Sequence, residues 1–335
     1  MRVAIPVSRT SVVVAAAVLG LLAVAAVATL CLGRLGLAPA DLLAALARGP
    51  ADAKQAFVLE RLRGPRLVVA VGTGAALGLA GALFQAVTRN PLASPDVIGL
   101  NSGAGAGAAF AVLMLPGVLP APLGALAGAV AAMALVYVAT GSGFRNPGRL
   151  VVAGIGVHAI SSAFTQYVVY AVERDRAAAL TAYVNGSLSA RSWEHAATIW
   201  AVLLAVVPLV ALLSRRLTAA ELGDELAASL GARPQGTRVA AVGLSIVLSA
   251  GAVAVAGPVA FIALTAPQIA RRMTRLPGPH LTLAALVGAL LLVLADLAAQ
   301  HAPIPGNLPV GIYTLAVGGL YLGYLLTREW KKGSL

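Results

Sequence analysis

The chain has 335 residues, of which 59% are hydrophobic and 11% charged, with a mean hydropathy of +0.90. A soluble domain carries about 25% charged residues, so this chain cannot clothe a water-facing surface and takes the bilayer as its solvent. The net charge of +12 then reads as a topology signal of the positive-inside kind rather than as a nucleic-acid footprint.

Val12–Leu32 has no charged residue, and as a helix it is about 31 Å long, enough to cross a hydrocarbon core of roughly 30 Å. Arg2 and Arg9 ahead of it imitate a signal peptide, but a cleavable apolar core runs to only about 7–15 residues, so this is a retained first span. Its Cys31 is the single cysteine, which leaves no disulfide framework and no cysteine-based metal site. The following stretch, Arg34–Arg66, is external by alternation and yet holds Arg34, Arg48, Lys54, Arg61, Arg63 and Arg66. Arg34 and Arg48 suit snorkelling at the interface. Arg61, Arg63 and Arg66 crowd ahead of the next span, with Pro65 as its helix starter, and form a cationic rim on which an acidic partner can dock.

Further apolar blocks follow at Leu67–Val87, Val97–Leu115, Leu119–Thr140, Leu150–Val172, Ala196–Leu213, Val239–Val255, Leu281–Gln300 and Val310–Leu326, which with the first makes nine clear crossings. Between the second and third lies "RNPLASPDVIGLNSGAGAG", Arg89–Gly107, where the polar residues of this region concentrate. Pro91 and Pro95 forbid a continuous helix, Ser94 and Asp96 can cap the next one, and Gly103, Gly105 and Gly107 permit close helix packing. A moving constriction and a merely well-capped loop both fit that composition.

Past the sixth span, "RRLTAAELGDELAASLGARPQGTR" (Arg215–Arg238) is soluble in character. Leu222, Leu226 and Leu230 make an apolar stripe at helical spacing, Glu221, Asp224 and Glu225 surround it, Gly223 interrupts, and Gly231 with Pro234 ends it. Two short helices presenting a ridge to a cytoplasmic partner account for this pattern; a helix lying on the lipid surface is the alternative. Next, "AGPVAFIALTAPQIARRMTR" is apolar for too short a run to face lipid and is broken by Pro258 and Pro267. Such backbone survives at membrane depth where protein covers it. If it crosses, both termini share a side that carries 15 of the 24 basic residues against 5 of the 12 acidic ones. That bias selects ten spans, with the termini cytoplasmic.

The residues argue against catalysis. No His-Glu-x-x-His is present, the four histidines form no pair at helical spacing, and Lys54, Lys331 and Lys332 follow no G-x-x-x-x-G; any ATP is therefore hydrolysed by another chain. Proton coupling calls for carboxylates in mid-span, whereas Asp96 and Asp296 sit near span ends. His158, inside the fifth span, reads as a packed and satisfied histidine.

Taken together, "RLRGPRLVVAVGTGAALGLAGALFQAVTRNPLASPDVIGLNSGAGAG", "LGDELAASLG", "GPVAFIALTAPQIARR" and "LADLAAQHAPIPGNLPVGIYTLAVGG" resemble the hallmark blocks of the iron-siderophore and vitamin B12 type ABC importer permeases, the FecCD-like family, in the family's order. "APQIARR" looks more like ferric siderophore permeases, those for catecholates in particular, than like the B12 branch. The resemblance implies an all-α polytopic protein with a single transmembrane permease domain of ten helices, the type II ABC importer permease fold, in a bacterial inner membrane. It implies a homo- or heterodimer of permeases, two ATP-binding cassette subunits, an extracytoplasmic substrate-binding protein and a ferric siderophore as cargo, with no cofactor of the chain's own and ATP used by the partner. Vitamin B12, haem or another iron chelate remains an alternative cargo; a secondary transporter without an ATPase is the alternative of a different class.

On that resemblance, Asn90, Pro91, Leu92, Asn101, Ser102 and Gly103 belong to the inner gate and pathway. Glu221, Leu222, Gly223, Asp224, Glu225, Leu226, Leu230 and Gly231 form the ATPase-coupling loop, and Arg61, Arg63 and Arg66 the binding-protein dock. The chain departs from the family pattern at Gln300, where relatives carry a basic residue, and at Asn307, where they carry an acidic one.

Overall fold

A computed structural model describes the chain apart from residues 1–7, 34, 97, 142–146, 173–179, 182, 222, 224–228, 230–233, 303–307 and 332–335. Among the described residues every regular element is helical. In chain order these are α1 (Arg9–Cys31), α2 (Pro39–Arg48), α3 (Ala53–Ala56), a π-helical segment (Phe57–Leu62), α4 (Arg63–Thr88), α5 (Leu100–Met114), α6 (Ala121–Ala139) and α7 (Pro147–Ala171). They continue with α8 (Trp193–Glu221), α9 (Pro234–Ala256), α10 (Ile262–Thr274), α11 (Leu281–His301) and α12 (Val310–Lys331).

The nine apolar blocks all become helices. Seven are long and apolar enough to cross a membrane, and α5 and α12 supply shorter apolar helices. The tenth is the broken one. α10 has 13 residues, about 20 Å of helix, and lies against α4, α11 and α12. Its Ile262, Ala263, Leu264, Ala266 and Ala270 are buried, which is how so short a helix survives at membrane depth.

α4 is the hub, touching α8, α9, α10 and α11. With lipid tails as apolar as leucine, close backbone approach rather than hydrophobic exclusion holds such helices together. Two seams show it. A Cβ at Gly288 would fall 2.2 Å from the Gly74 carbonyl oxygen and one at Gly78 2.2 Å from that of Ala284, joining α4 to α11. Between α5 and α6 the spacing repeats: a Cβ at Gly107 would meet the Gly124 oxygen at 2.1 Å, and one at Gly128 the Gly103 oxygen at 2.2 Å.

Pro65 does not start a helix. The apolar segment Ala53–Thr88 is continuous, and the π-helical turn of Phe57–Leu62 immediately precedes α4. A proline ring clashes with the carbonyl four residues before it, and the wider π turn gives it room. Likewise Pro234, expected to help end a helix, opens α9.

Candidate translocation pathway

The joint after α4 is built by local hydrogen bonds. Arg89 closes α4 in the left-handed region at φ 50°, and the Asn90 side-chain oxygen accepts from the Leu92 N–H at 2.9 Å, an Asx turn. This leaves Leu92 at the tip, 42% exposed. α5 then begins after Gly99 at φ 103°, with no side-chain cap. Neither Ser94 nor Asp96 caps α5 as expected. The Ser94 hydroxyl is buried without a partner among the described residues, and Asp96 turns to another helix: its Oδ2 accepts from the Phe261 N–H at 3.0 Å.

That bond caps α10 from a distance. Phe261, the residue before α10, has φ 68° and offers no side-chain cap of its own, so a carboxylate from the joint satisfies one of the orphan N–H groups at the helix start. Further bonds fasten the same two blocks. Gln268 donates to the Pro91 carbonyl, Gln85 Nε2 to the Leu264 carbonyl at 3.0 Å and Arg271 to Gln85 Oε1 at 3.3 Å. Two sequence blocks joined by bonds that span 165 to 186 residues are thus laced into one unit.

Above this lacing lies a cavity of about 460 Å³. Its wall combines Asn101, Ser102 and Gly105 of α5, His158, Ser162, Thr165 and Gln166 of α7, Asn185, Pro258 and Phe261 before α10, and Gly311 and Leu315 of α12. A volume of this order is usual for a ligand site. Of the expected gate and pathway residues, Asn101 and Ser102 face the cavity; Gly103 instead packs at the α5–α6 seam, where an added Cβ would lie 2.2 Å from Ala132 Cβ. Pro91 lines a second cavity, about 310 Å³, with Gln85, Arg89 and Arg271; Asn90 and Leu92 line neither. His158 is not packed away. It is exposed on the wall of the first cavity.

At the other end of α4 the cationic rim is spent on the chain itself. Arg63 is 8% exposed and its Nη1 donates to the carbonyls of Thr29, at 2.8 Å, and Leu32, tying off the C-terminus of α1. Arg66 forms a bidentate pair with Asp296, Nη2 to Oδ1 at 2.7 Å and Nε to Oδ2 at 3.0 Å, and Gln300 Nε2 donates to the same Oδ2 at 2.7 Å. Neither guanidinium is the free external cation that the charge cluster suggested. Arg61 is exposed. Sequence reasoning missed these roles because the acceptors lie on α1 and α11, far away in the chain.

Of the coupling residues, Glu221 ends α8 and Gly223 follows at φ 110°; Leu222, Asp224, Glu225, Leu226, Leu230 and Gly231 lie outside the described residues. Among the described residues no three His, Cys, Asp or Glu side chains come together to hold a metal.

The match to known proteins decides what this architecture is. The model of the FecCD transport family matches residues 21–328. The chain belongs to the FecCD transport family. It is 38% identical to the ferric enterobactin transport system permease protein FepG of Escherichia coli K12, over 90% of this chain and 91% of that one. It is also 38% identical to the achromobactin transport system permease protein CbrC of Dickeya dadantii 3937, over 90% and 88%. Among solved structures, an inward-facing conformation of a metal-chelate type ABC transporter superposes with a TM-score of 0.79 at 24% identity, covering 95% of this chain and 99% of that one. As a FecCD chain it is an all-helical, multi-pass membrane protein.

Proposed function

We propose that this chain is the membrane-spanning permease subunit of an ABC importer that moves a ferric siderophore inward across the bacterial cytoplasmic membrane. Family membership supports the importer class, and the name of the ferric enterobactin permease supports an iron chelate. The observation that carries the reading furthest is the cavity, a largely apolar wall set with polar side chains such as Asn101, His158 and Gln166, beside a joint whose backbone is held by α10. A constriction of this kind opens when α10 moves, and the cavity above it receives the cargo. Within the siderophores, a catecholate complex is favoured by the "APQIARR" block, Ala266–Arg272, and by the likeness to the ferric enterobactin permease.

In this reading a second permease, the same chain or a partner of the same family, closes the pathway from the other side, and both termini are cytoplasmic. Two ATPase subunits engage the Glu221–Gly231 segment, its leucine stripe seated in a groove of the ATPase. Hydrolysis belongs to those subunits, since the chain has no phosphate-binding loop. An extracytoplasmic binding protein delivers the chelate to the outer face, where Arg61 remains exposed for an acidic contact.

Uptake of radio-iron by a bacterium deleted for its own siderophore permease tests the proposal, with the chain, its ATPase and its binding protein supplied together. Ferric catecholate uptake above that of ferric citrate, ferric hydroxamate or labelled vitamin B12 is the expected result. Uptake of vitamin B12 alone would refute the iron reading.

A further inference from the structure

α7 carries His158, Ser162 and Gln166 four residues apart, so the three side chains lie in a row along one side of the helix, beside Ser161 and Thr165. All three line the cavity. Their neighbours on the wall are engaged with backbone: Thr165 Oγ1 donates to the Ser161 carbonyl at 2.9 Å, Ser102 Oγ to that of Gly99 at 2.9 Å and Asn185 Nδ2 to that of Thr181 at 2.8 Å. Among the described residues His158, Ser162 and Gln166 have no hydrogen-bond partner at all. Uncommitted polar groups at membrane depth are costly to maintain and mark a path for polar cargo.

The chemistry of the wall limits what that cargo is. Among the described residues no lysine or arginine lines the cavity, and the one carboxylate on its wall, Asp96, already accepts from Phe261. The row offers a hydroxyl, a carboxamide and an imidazole, each able to donate and to accept. Bare cations would want carboxylates or several carbonyls, and small anions would want fixed positive charge. A neutral row of interchangeable partners suits a bulky, coordinatively saturated chelate that presents amide, hydroxyl and ligand oxygens on its surface. Such partners hold it weakly enough to let it leave.

We infer that His158, Ser162 and Gln166 form the cargo-contacting hydrogen-bond track of this permease and set its preference for oxygen-rich metal chelates. This rests on the importer reading above. The test is uptake by proteoliposomes holding the full complex of permease, ATPase and binding protein, offered ferric enterobactin and, separately, ferric citrate. The triple change His158→Leu, Ser162→Ala, Gln166→Leu should lower the maximal uptake rate by about ten-fold or more. Complex assembly and the basal ATPase rate should stay at wild-type levels. The conservative pair Ser162→Thr, Gln166→Asn, made in an otherwise wild-type chain, should retain most of the uptake. Wild-type uptake by the triple variant would overturn the track and leave the importer reading standing, and so would loss of subunit assembly, which would make the row a subunit contact. A wild-type complex that moves no ferric chelate would remove both.

Discussion

Asp296, 1% exposed on α11, is held by Arg66 at the start of α4, with Nη2 2.7 Å from Oδ1 and Nε 3.0 Å from Oδ2. Gln300, one turn along α11, donates to Oδ2 as well. A carboxylate so buried is tolerable only when its lone pairs are filled, and removing one partner strands a charge. Arg66→Ala should therefore destabilise the detergent-solubilised protein by about 3 kcal/mol, read as a lowered unfolding temperature, while Asp296→Asn with Arg66→Gln should recover much of the loss. Equal destabilisation by the single and the double change would deny that the pair acts as a unit.

The α4–α11 seam gives a steric prediction. Gly288→Val should disrupt folding outright, since even a Cβ there meets the Gly74 carbonyl oxygen at 2.2 Å, and overpacking costs about 1–3 kcal/mol or more where the backbone cannot shift. Gly243, which has nothing within 4 Å of an added Cβ, is the control. Gly243→Ala should express and extract as the wild type does.

The lacing between the joint and α10 is testable through coupling. Asp96→Ala removes the acceptor for the Phe261 N–H, a capping loss of about 0.5–2 kcal/mol, without touching the ATPase contact. The expected outcome is a folded permease whose complex hydrolyses ATP but transports less chelate per ATP. Gln268→Leu, which frees the Pro91 carbonyl, should act in the same direction. An unchanged ratio of transport to hydrolysis in both would separate the joint from the gate.

For the coupling segment, Leu226→Asp should prevent co-purification of the ATPase or uncouple its hydrolysis, since an unpaired carboxylate buried in a protein interface costs several kcal/mol. Membrane insertion should be unaffected. Wild-type assembly and uptake would place this segment on the lipid surface instead.

Much of this architecture could be read in the sequence. Each apolar block is long enough to speak for itself, and the proline-broken stretch around Pro258 and Pro267 showed that it needed cover. The likeness of the hallmark blocks led to the family. What could not be read were partners across the fold. Arg63 and Arg66 look like a rim of free charge until α1 supplies carbonyls at Thr29 and Leu32 and α11 supplies Asp296. Asp96 sits where a cap for α5 belongs, and only the fold brings the Phe261 N–H to it. The row of His158, Ser162 and Gln166 did leave a signal, a polar repeat of four in an apolar helix, but Ser161 and Thr165 beside it blurred the period.

ATP dependence tests the central claim most directly. Proteoliposomes containing the chain with its ATPase and binding protein are loaded with ATP inside, and entry of ferric siderophore is followed against liposomes loaded with a non-hydrolysable analogue and against liposomes with the chain alone under an imposed proton gradient. The account predicts accumulation only with hydrolysable ATP and the ATPase present. Accumulation driven by the proton gradient in the chain alone would contradict it.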